Sequence, residues 1–368
     1  MPVFDLPTPD HEIEVTSPTE IQAAVNNHWG EATIKLPGST VTMPNTLTIP
    51  SDMTGSLVLQ GQGKGITILD FSSGLLDLGI QSLKAAYTGG YLFLKDLTVK
   101  INTKDAATIG IDSEYLTLDM ENVTVQNTNA TKRGIGIKAS PVMNNGGGVW
   151  KNVSVFKFGT NFYIAQDHIL GLWTFSEDPA DLDYYVSGSH DALVLPQAFR
   201  SADNVTTAKR FQIGGGARPA FYKPFIEKNS GGAIVFERVL GGAEVYDMTT
   251  TGSFTDPIVS VADMQYIKFF NSPDFITRSE KYGTFAIDST GLKTIVVAHG
   301  LSYTPLRSEI QVSVTYDTAV TDWRYDSLLV SAIDGTNVTV KVYVSTASGT
   351  GGAIARAVVK CQARAYGS

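Results

Sequence analysis

The sequence predicts an all-β protein in which a solenoid of stacked strands precedes a small antiparallel domain. Two short apolar runs flank a glycine cluster within residues 61–65, and no helical pattern follows it. A quasi-repeat then places Leu97, Val123 and Val153 at equivalent points, with steps of 26 and 30 residues. A β-rich repeat of this length without interleaved helices is typical of a solenoid. The last ninety or so residues instead alternate apolar and polar side chains between turn signals, as antiparallel hairpins do.

The composition supports this class and excludes several partners. Of the 368 residues, 43% are hydrophobic, 17% are charged and 35 are glycine, a mixture that favours turn-rich β structure. The net charge of −8 argues against nucleic acid. The sequence contains no apolar run approaching roughly 18 residues, so we expect no membrane insertion. Cys361 is the single cysteine, so disulfides within the chain are impossible.

The N-terminal region divides into an attachment segment and a capping helix. Residues 1–16 are expected to be extended, and they lack the basic end and apolar core of a signal peptide. Ser17 as N-cap, Pro18 at the first position and Glu20 three residues after the cap predict a helix that stops at Gly30. Its apolar stripe is Ile21, Val25 and Trp29. We interpret this helix as a plug over the open end of the β stack.

The solenoid is predicted over residues 17–280. Glycines at the 61–65 corner supply the backbone freedom that a coil needs when it turns without a helix. Each coil buries its inward side chains only when the next coil stacks on it, so such an architecture needs caps.

The C-terminal domain is predicted over residues 283–368, after a break near Thr277–Tyr282. A compact antiparallel β-sandwich fits the alternation in this region and the turn after Ile333. The predicted strands are Thr294–Ala298, Glu309–Tyr316, Ser327–Ile333, Asn337–Ser345 and Ala353–Ala365.

Two segments resemble known protein groups. Residues 17–71, with Ile34–Thr42 and Gln60–Asp70, resemble the start of the pectate-lyase-like parallel β-helix. Ile295–Pro305 resembles a strand in the C-terminal domains of bacteriophage tail fibres and spikes. Their order resembles that of phage tailspikes and receptor-binding proteins. The resemblance implies a right-handed, single-stranded parallel β-helix with an N-terminal capping helix, followed by a small antiparallel β-sandwich.

The resemblance also implies a function. It implies a homotrimeric spike or fibre protein on the surface of a virion or phage-derived particle such as a gene transfer agent, made in the bacterial cytoplasm. Such a protein binds bacterial surface polysaccharide as a host receptor and joins other particle proteins, here through the N-terminal segment. No cofactor is expected. The alternatives are a capsule or O-antigen depolymerase, either hydrolase or lyase, and a structural adaptor. We favour binding over catalysis because strong acidic constellations are few.

Acidic and aromatic side chains concentrate in one segment where the repeat fades. They are Trp173, Glu177, Asp178, Asp181, Asp183, Tyr184 and Tyr185. Aromatic faces stack on sugar rings and carboxylates accept bonds from hydroxyls, so the set predicts ligand binding. Glycoside hydrolysis needs two carboxyl groups at one bond, and the four acidic residues are the candidates. The alternative is an exposed acidic loop with its aromatic rings packed beneath it.

Further candidates lie outside this cluster. Trp323, Arg324 and Tyr325 form an aromatic–cation set on a predicted loop, suited to contact with a glycan or a neighbouring subunit, or else to packing onto its own domain. No metal site is predicted, because His299 has no second ligand at metal-binding spacing. We interpret His299 as a turn residue.

Weaker patterns favour structural roles. Asp167–His168 and His190–Asp191 resemble an acid–imidazole motif of pectate lyases, but Arg218–Tyr222 lacks the second arginine of the accompanying element. Several asparagines are candidate sugar ligands, although turn residues or a stacked amide ladder explain them better. They are Asn127, Asn129, Asn144, Asn145 and Asn152.

Overall fold

The protein is described by a computed structural model, and its chain forms two compact units. The described residues are 11–27, 32–53, 55–73, 76–86, 89–103, 105–140, 148–165, 169–187, 193–199, 209–215, 217–227, 236–251, 266–270, 272, 278–301, 304–316, 322–349 and 351–362. The first unit consists of Met1–Thr255 with Tyr266–Ser272, and the second of Asp256–Gln265 with Pro273–Ser368.

The first unit is made of short strands with one helix near its start. In chain order they are β1 (His11–Glu14), α1 (Pro18–Asn27), β2 (Ala32–Lys35), β3 (Thr40–Thr42), β4 (Leu47–Ile49), β5 (Ser56–Gln60), β6 (Ile68–Asp70), β7 (Leu78–Ser82), β8 (Tyr91–Ile101), β9 (Ile109–Asp112), β10 (Thr117–Asn127), β11 (Ile135–Ala139), β12 (Val149–Phe156), β13 (Thr160–Ile164), β14 (Leu170–Glu177), β15 (Leu182–Val186), β16 (Leu193–Phe199), β17 (Lys209–Ile213), β18 (Ala220–Tyr222), β19 (Phe225–Glu227), β20 (Phe236–Arg238), β21 (Ala243–Tyr246), β22 (Thr249–Thr251) and β23 (Ile267–Phe270). Within the described residues, no helix is long and apolar enough to cross a membrane.

These strands form two parallel sheets that the chain visits alternately. The main path of the first sheet is β1-β2-β5-β8-β10-β12-β14-β16-β18-β21-β23, and the second runs β20-β17-β15-β13-β11-β9-β7-β4. Strands that are neighbours in a sheet come from successive coils, so each coil is one rung of a parallel β-helix. Leu97 pairs with Val123, as the quasi-repeat predicted. The prediction of stacked coils is therefore confirmed.

The core changes from aliphatic to aromatic along the second sheet. Ile80, Ile111 and Ile137 occupy the inward position in successive strands, and all are fully buried. Rings then take over this position, and each stacks on the next at 4.7–5.1 Å between centroids. The rings are Phe162, Tyr184, Phe211 and Phe236. Stacked rings of successive rungs bury each other's faces, which stabilises the coil order.

The glycine corner has the role that the sequence predicts. A Cβ atom at Gly61 would lie 2.2 Å from the carbonyl oxygen of Asp96 in the next rung, so no larger residue fits. Gly65 has φ of +78°, a conformation that side chains disfavour. The chain thereby leaves β5 and enters β6 without a helix.

Helix α1 begins as predicted and packs on the edge of the second sheet. The Ser17 hydroxyl accepts a bond from the Glu20 N–H, and the Glu20 carboxylate accepts one from the Ser17 N–H, which is a capping box. The Gln22 side chain donates to the Thr48 carbonyl at 2.9 Å and accepts from its N–H at 3.0 Å. One amide thus satisfies two backbone groups that edge strand β4 would otherwise leave open. Trp29 and Gly30 lie outside the described residues.

The second unit consists of two antiparallel sheets of three strands each. Its strands are β24 (Arg278–Ala286), β25 (Gly291–Ala298), β26 (Ile310–Tyr316), β27 (Arg324–Ile333), β28 (Asn337–Thr346) and β29 (Ile354–Gln362). The sheet orders are β24-β29-β26 and β25-β28-β27. The sheets meet at Gly283, where an added Cβ would lie 2.4 Å from Ile295. β24 starts at Arg278, inside the segment where the sequence predicted a break.

Candidate functional site

The long strands of the first sheet bend at one residue per rung, and these residues form a column on the surface. Asp96, Asn122, Asn152 and Trp173 occupy equivalent positions in β8, β10, β12 and β14, as the strand registers show. Their φ angles are 55°, 53°, 56° and 60°. Asp and Asn tolerate this left-handed conformation, whereas a bulky side chain is an outlier there. We call these four positions the bend column.

A chain of hydrogen bonds joins the polar members of the bend column. The Asn152 amide donates to Oδ1 of Asn122 at 2.8 Å, and the Asn122 amide donates to Oδ1 of Asp96 at 2.8 Å. The ammonium group of Lys64 donates to Oδ1 of Asn152 at 3.2 Å and to Oγ of Ser154 at 3.2 Å. The amide ladder that the sequence offered as one interpretation of Asn152 is present.

Trp173 is the last residue of the bend column and differs from the three polar members in three ways. Its side chain is 61% exposed, the highest value among the large apolar residues that the structure describes. It has positive φ although it is bulky. The pairing of β14 with β16 shifts register between Gly171 and Thr174, next to this residue. Bulges commonly re-aim a side chain beside functional sites, and backbone outliers cluster there too.

A row of charges runs beside the bend column. Glu121 pairs with Lys151 at 2.8 Å and with Lys95 at 3.3 Å, the three residues coming from consecutive rungs. Hydrogen bonding to Lys151 is the main reason that the pKa of Glu121 is lowered. These lysines are therefore neutralised by a carboxylate.

The structure separates Glu177 from Asp178. Glu177 ends β14 with a half-buried side chain. Burial is the main reason that the pKa of Glu177 is raised, and the neighbouring negative charges of Asp178 and Glu227 raise it further. Asp178 is buried, and its Oδ2 lies 3.9 Å from the ammonium of Lys132. Asp178 thus forms part of a corner held by an ion pair, whereas Glu177 is the more accessible carboxyl group.

Asp181 and Asp183 lie on opposite sides of the coil wall. Asp181 is exposed at the start of the rung. Asp183 is 0% exposed, and the Ser176 hydroxyl donates to its Oδ1 at 2.5 Å. The Asn161 amide in turn donates to Ser176 at 2.8 Å. Asp183 therefore belongs to a polar network inside the core, out of reach of a ligand on the surface.

The two predicted tyrosines also diverge. Tyr184 is 0% exposed and lies in the ring stack of the core, with its hydroxyl 3.3 Å from that of Thr174. Tyr185 is on the outer side of the second sheet, stacked on Tyr163 at 4.7 Å. Trp173 belongs to the first sheet. Alternation along β15 explains the divergence, because adjacent residues of a strand point to opposite faces.

The aromatic–cation set of the second unit is divided as well. Trp323 is 6% exposed and packs edge-on against Phe285 at 6.2 Å. Arg324 and Tyr325 are exposed, and the Tyr325 ring lies 5.8 Å from that of Trp323. Packing of the tryptophan within its own unit accounts for the buried member of the set.

The remaining candidates have structural contacts or lie outside the described residues. His299 is buried, and its Nδ1 accepts a bond from the Leu301 N–H at 3.0 Å. Oδ1 of Asn127 accepts from the Thr103 N–H at 3.1 Å, and Asn129 donates to Asn102 at 2.9 Å. The positions outside the described residues are Asn144, Asn145, Asp167, His168, His190 and Asp191.

Sequence reasoning missed Lys64, Asn122 and Glu227. Asn122 had a usable signal, because Asp96, Asn122 and Asn152 each precede an aligned apolar residue of the quasi-repeat. The sequence carried no comparable signal for Lys64. Its contact with Asn152 depends on how the rungs are stacked.

The comparisons with known proteins find similarity in solved structures alone. No protein-family model matches the sequence, and no curated protein matches it. The chain is similar to a double mutant of the tailspike protein of Escherichia coli bacteriophage HK620, with 8% identity, a TM-score of 0.40, and coverage of 90% of this chain and 75% of that one. It is also similar to the Gp54 tailspike of Acinetobacter baumannii bacteriophage AP22, solved in complex with A. baumannii capsular saccharide, with 11% identity, a TM-score of 0.28, and coverage of 90% and 69%. The resemblance to tailspikes inferred from the sequence recurs in this comparison.

Proposed function

We propose that this protein is a spike or fibre protein of a phage or phage-derived particle and binds bacterial surface polysaccharide as its receptor. The observation that carries the proposal is Trp173, an exposed tryptophan in a left-handed conformation at a register shift, in a column otherwise occupied by Asp and Asn. A protein gains no packing from an indole held in this way. The position is suited to a ligand that stacks on the ring.

The chemistry around Trp173 fits a saccharide. Sugar rings present apolar C–H faces that stack on an indole, and hydroxyl groups that bond to amides and carboxylates. Asn152 and Glu121 supply such groups on the neighbouring rungs of the same surface. Trp173 is 61% exposed, so much of its ring surface is available to a ligand.

Assembly into a homotrimer would raise the affinity for a polymeric receptor when each single contact with the saccharide is weak. In a homotrimer, three equivalent surfaces engage one polymeric receptor, and the second and third contacts form at high effective concentration. The N-terminal segment, residues 1–16, would join the spike to other particle proteins. These two points belong to the proposal and follow from the resemblance of the chain to phage spikes.

The proposal is tested by glycan binding of the wild-type protein and Trp173→Asn. Asparagine is the residue at the equivalent positions in β10 and β12, so the variant removes the ring without disturbing the backbone. We expect binding on an array of bacterial polysaccharides, and at least a roughly tenfold loss of affinity in the variant. Tyr343→Ala, which removes a 45% exposed ring from the second unit, is the matched control. A blank array, or equal affinities in both proteins, would contradict the proposal.

Polysaccharide cleavage is the second candidate, and one observation favours it. Glu177 pairs with Phe199, and Glu227 follows Ile226, which pairs with Ala198. The two glutamates therefore occupy the same row two strands apart, about 10 Å between backbones. Inverting glycosidases separate their carboxyl groups by roughly 6.5–9.5 Å. The raised pKa of Glu177 would suit the acid.

A reducing-end assay on the bound polysaccharide separates the two candidates. Cleavage predicts release of oligosaccharides that Glu177→Gln and Glu227→Gln abolish. Glu280→Gln, which removes an exposed carboxylate from the second unit, is the matched control and leaves the release unchanged. Binding without release of reducing ends excludes cleavage and leaves the receptor-binding function.

A further inference from the structure

Lys64 holds an ammonium group on the first sheet that pairs with no carboxylate of the described residues. Its Nζ atom reaches Oδ1 of Asn152 and Oγ of Ser154, each at 3.2 Å, and both oxygens are neutral. The side chain is half-buried. Burial lowers the pKa of Lys64, and no neighbouring charge contributes to that change.

Some lysines of the same sheet pair with a carboxylate, which Lys64 does not do among the described residues. Lys35 pairs with Glu12 at 2.9 Å, and Lys151 pairs with Glu121 at 2.8 Å. Within the described ranges no carboxylate forms an ion pair with Lys64. Asp96 lies at the far end of the amide chain, separated from the ammonium by two asparagine side chains. A partly buried cation without a counter-charge is energetically unfavourable. An anionic group of a ligand would therefore form a charge-assisted hydrogen bond with Lys64 without first displacing a carboxylate.

The ammonium group lies one rung from Trp173. Asn152 in β12 lies opposite Trp173 in β14, and Ser154 in β12 pairs with Phe175 in β14. The backbones of paired strands are about 4.8 Å apart. A sugar stacked on Trp173 therefore has its substituents within reach of the position that Lys64 occupies over β12.

We propose that the Trp173 surface takes an acidic saccharide and that Lys64 holds its anionic group. This inference rests on the proposed function and names the class of ligand for that same surface. The single ammonium of Lys64 matches a group with one negative charge. A uronic-acid carboxylate and a phosphodiester both have this chemistry, and the experiment distinguishes them.

The test uses the full chain and paired polysaccharide probes. Bacterial uronic-acid polysaccharides are presented in native form and after reduction of their carboxylates to alcohols, beside glycerol-phosphate polymers. We expect the wild-type protein to bind an acidic form at least tenfold more tightly than its uncharged counterpart. Loss on carboxyl reduction assigns the carboxylate, and binding to the glycerol-phosphate polymers alone assigns the phosphodiester.

Substitutions then assign the preference to Lys64. Lys64→Met is expected to lower binding of the acidic form to the level of the reduced form, and Lys64→Arg to retain most of the preference. Lys360→Met, which removes a 54% exposed lysine from the second unit, is the control for total charge and should change nothing. Thermal unfolding of each variant reports whether it is folded. If Lys64→Met is unfolded, the native-against-reduced comparison on the wild-type protein decides the acidic preference, and Lys64→Gln, which removes the charge but keeps a donor, decides the assignment to Lys64.

The results distinguish loss of the acidic preference from loss of saccharide binding. Equal wild-type binding of native and reduced forms, with loss in Trp173→Asn, overturns the acidic preference and leaves saccharide binding in place. An acidic preference that survives in Lys64→Met removes Lys64 from the site. A protein that binds none of these probes overturns the inference, and the function is overturned as well when the array of bacterial polysaccharides is also blank.

Discussion

The Nζ atom of Lys64 lies 3.2 Å from Oδ1 of Asn152, although 88 positions separate the two residues in the sequence. Lys64 extends from the loop after β5, and Asn152 is in β12, so the contact passes over the rungs of β8 and β10. It joins a cation, two amides and the carboxylate of Asp96 in one directional chain of hydrogen bonds. Chains of this kind polarise their members and can exceed the sum of their pairs.

We predict that breaking this chain at Asn122 destabilises the first unit. Asn122→Ala removes one donor and one acceptor and also places alanine at a φ of 53°. The expected loss in unfolding free energy is about 2–3 kcal/mol, part from hydrogen bonds and part from the backbone. Denaturant unfolding of Asn122→Gly, which tolerates this φ, isolates the side-chain part. Wild-type stability in the glycine variant would show that the chain contributes nothing.

Asp183 should matter for stability and leave ligand binding unchanged. Its carboxylate accepts the Ser176 hydroxyl inside the core, and Asn161 completes the network. Asp183→Ala leaves buried polar groups unsatisfied, so we expect a loss of about 2–3 kcal/mol in unfolding free energy. The affinity for polysaccharide, measured on the folded fraction by calorimetry, should equal that of the wild type. A variant of normal stability that has lost binding would assign Asp183 to the site.

A pair of inward positions should show size complementarity. Gly136 lies under Val155, and an added Cβ would be 2.3 Å from Cγ1 of that valine. In the next rung a larger Asn161 faces a smaller Ser176. Gly136→Ala should cost about 1–3 kcal/mol, and Val155→Ser should recover part of it. Recovery is incomplete because the carbonyl oxygen of Asn161 is also 2.7 Å from the new atom. Additive effects in the double variant would contradict this packing.

Asp119 should make stability fall as the pH rises. Burial raises its pKa to about 6, opposed by the Val149 N–H that donates to Oδ1. Because the folded-state pKa exceeds the unfolded value, folding favours the protonated acid. Its contribution is therefore greatest below pH about 4 and is lost by about pH 6, in total roughly 3 kcal/mol.

The measurement is the unfolding free energy of the wild type and Asp119→Asn at several pH values. Asparagine is uncharged and can still accept the Val149 N–H. The difference between the two proteins should grow in favour of the variant from pH 4 to pH 7, while other titrating groups cancel. A difference that stays constant over this interval would show that Asp119 is ionised normally in the folded protein.

The sequence predicts the architecture well because the physical signals are local or periodic. Ser17 and Glu20 form a capping box within one turn, and the repeated apolar positions at Leu97 and Val123 mark one rung each. The glycine corner needs its residue type because the backbone of the next rung approaches it closely. Each of these features depends on few residues.

The candidate site was less predictable because side-chain direction depends on the exact phase of each strand. Composition placed Asp183 and Tyr184 with Trp173, but both of these adjacent side chains are 0% exposed, which the alternation of a strand does not predict. An inward Asp183 is unusual, and it is tolerated because Ser176 supplies a partner. The contact of Lys64 with Asn152 requires the register of four rungs, which no local pattern contains.

Tryptophan fluorescence during a polysaccharide titration tests the central claim most directly. Of the three tryptophans in the described residues, Trp150 is 0% and Trp323 is 6% exposed, whereas Trp173 is 61% exposed. The fourth, Trp29, is present in both proteins, so a spectral change that is lost in Trp173→Asn comes from Trp173. We predict a saturable blue shift in the wild-type protein, protection from acrylamide quenching, and neither effect in Trp173→Asn. Calorimetric binding with an unchanged spectrum in the wild type, or the same shift in both proteins, would contradict the assignment of Trp173 to the ligand.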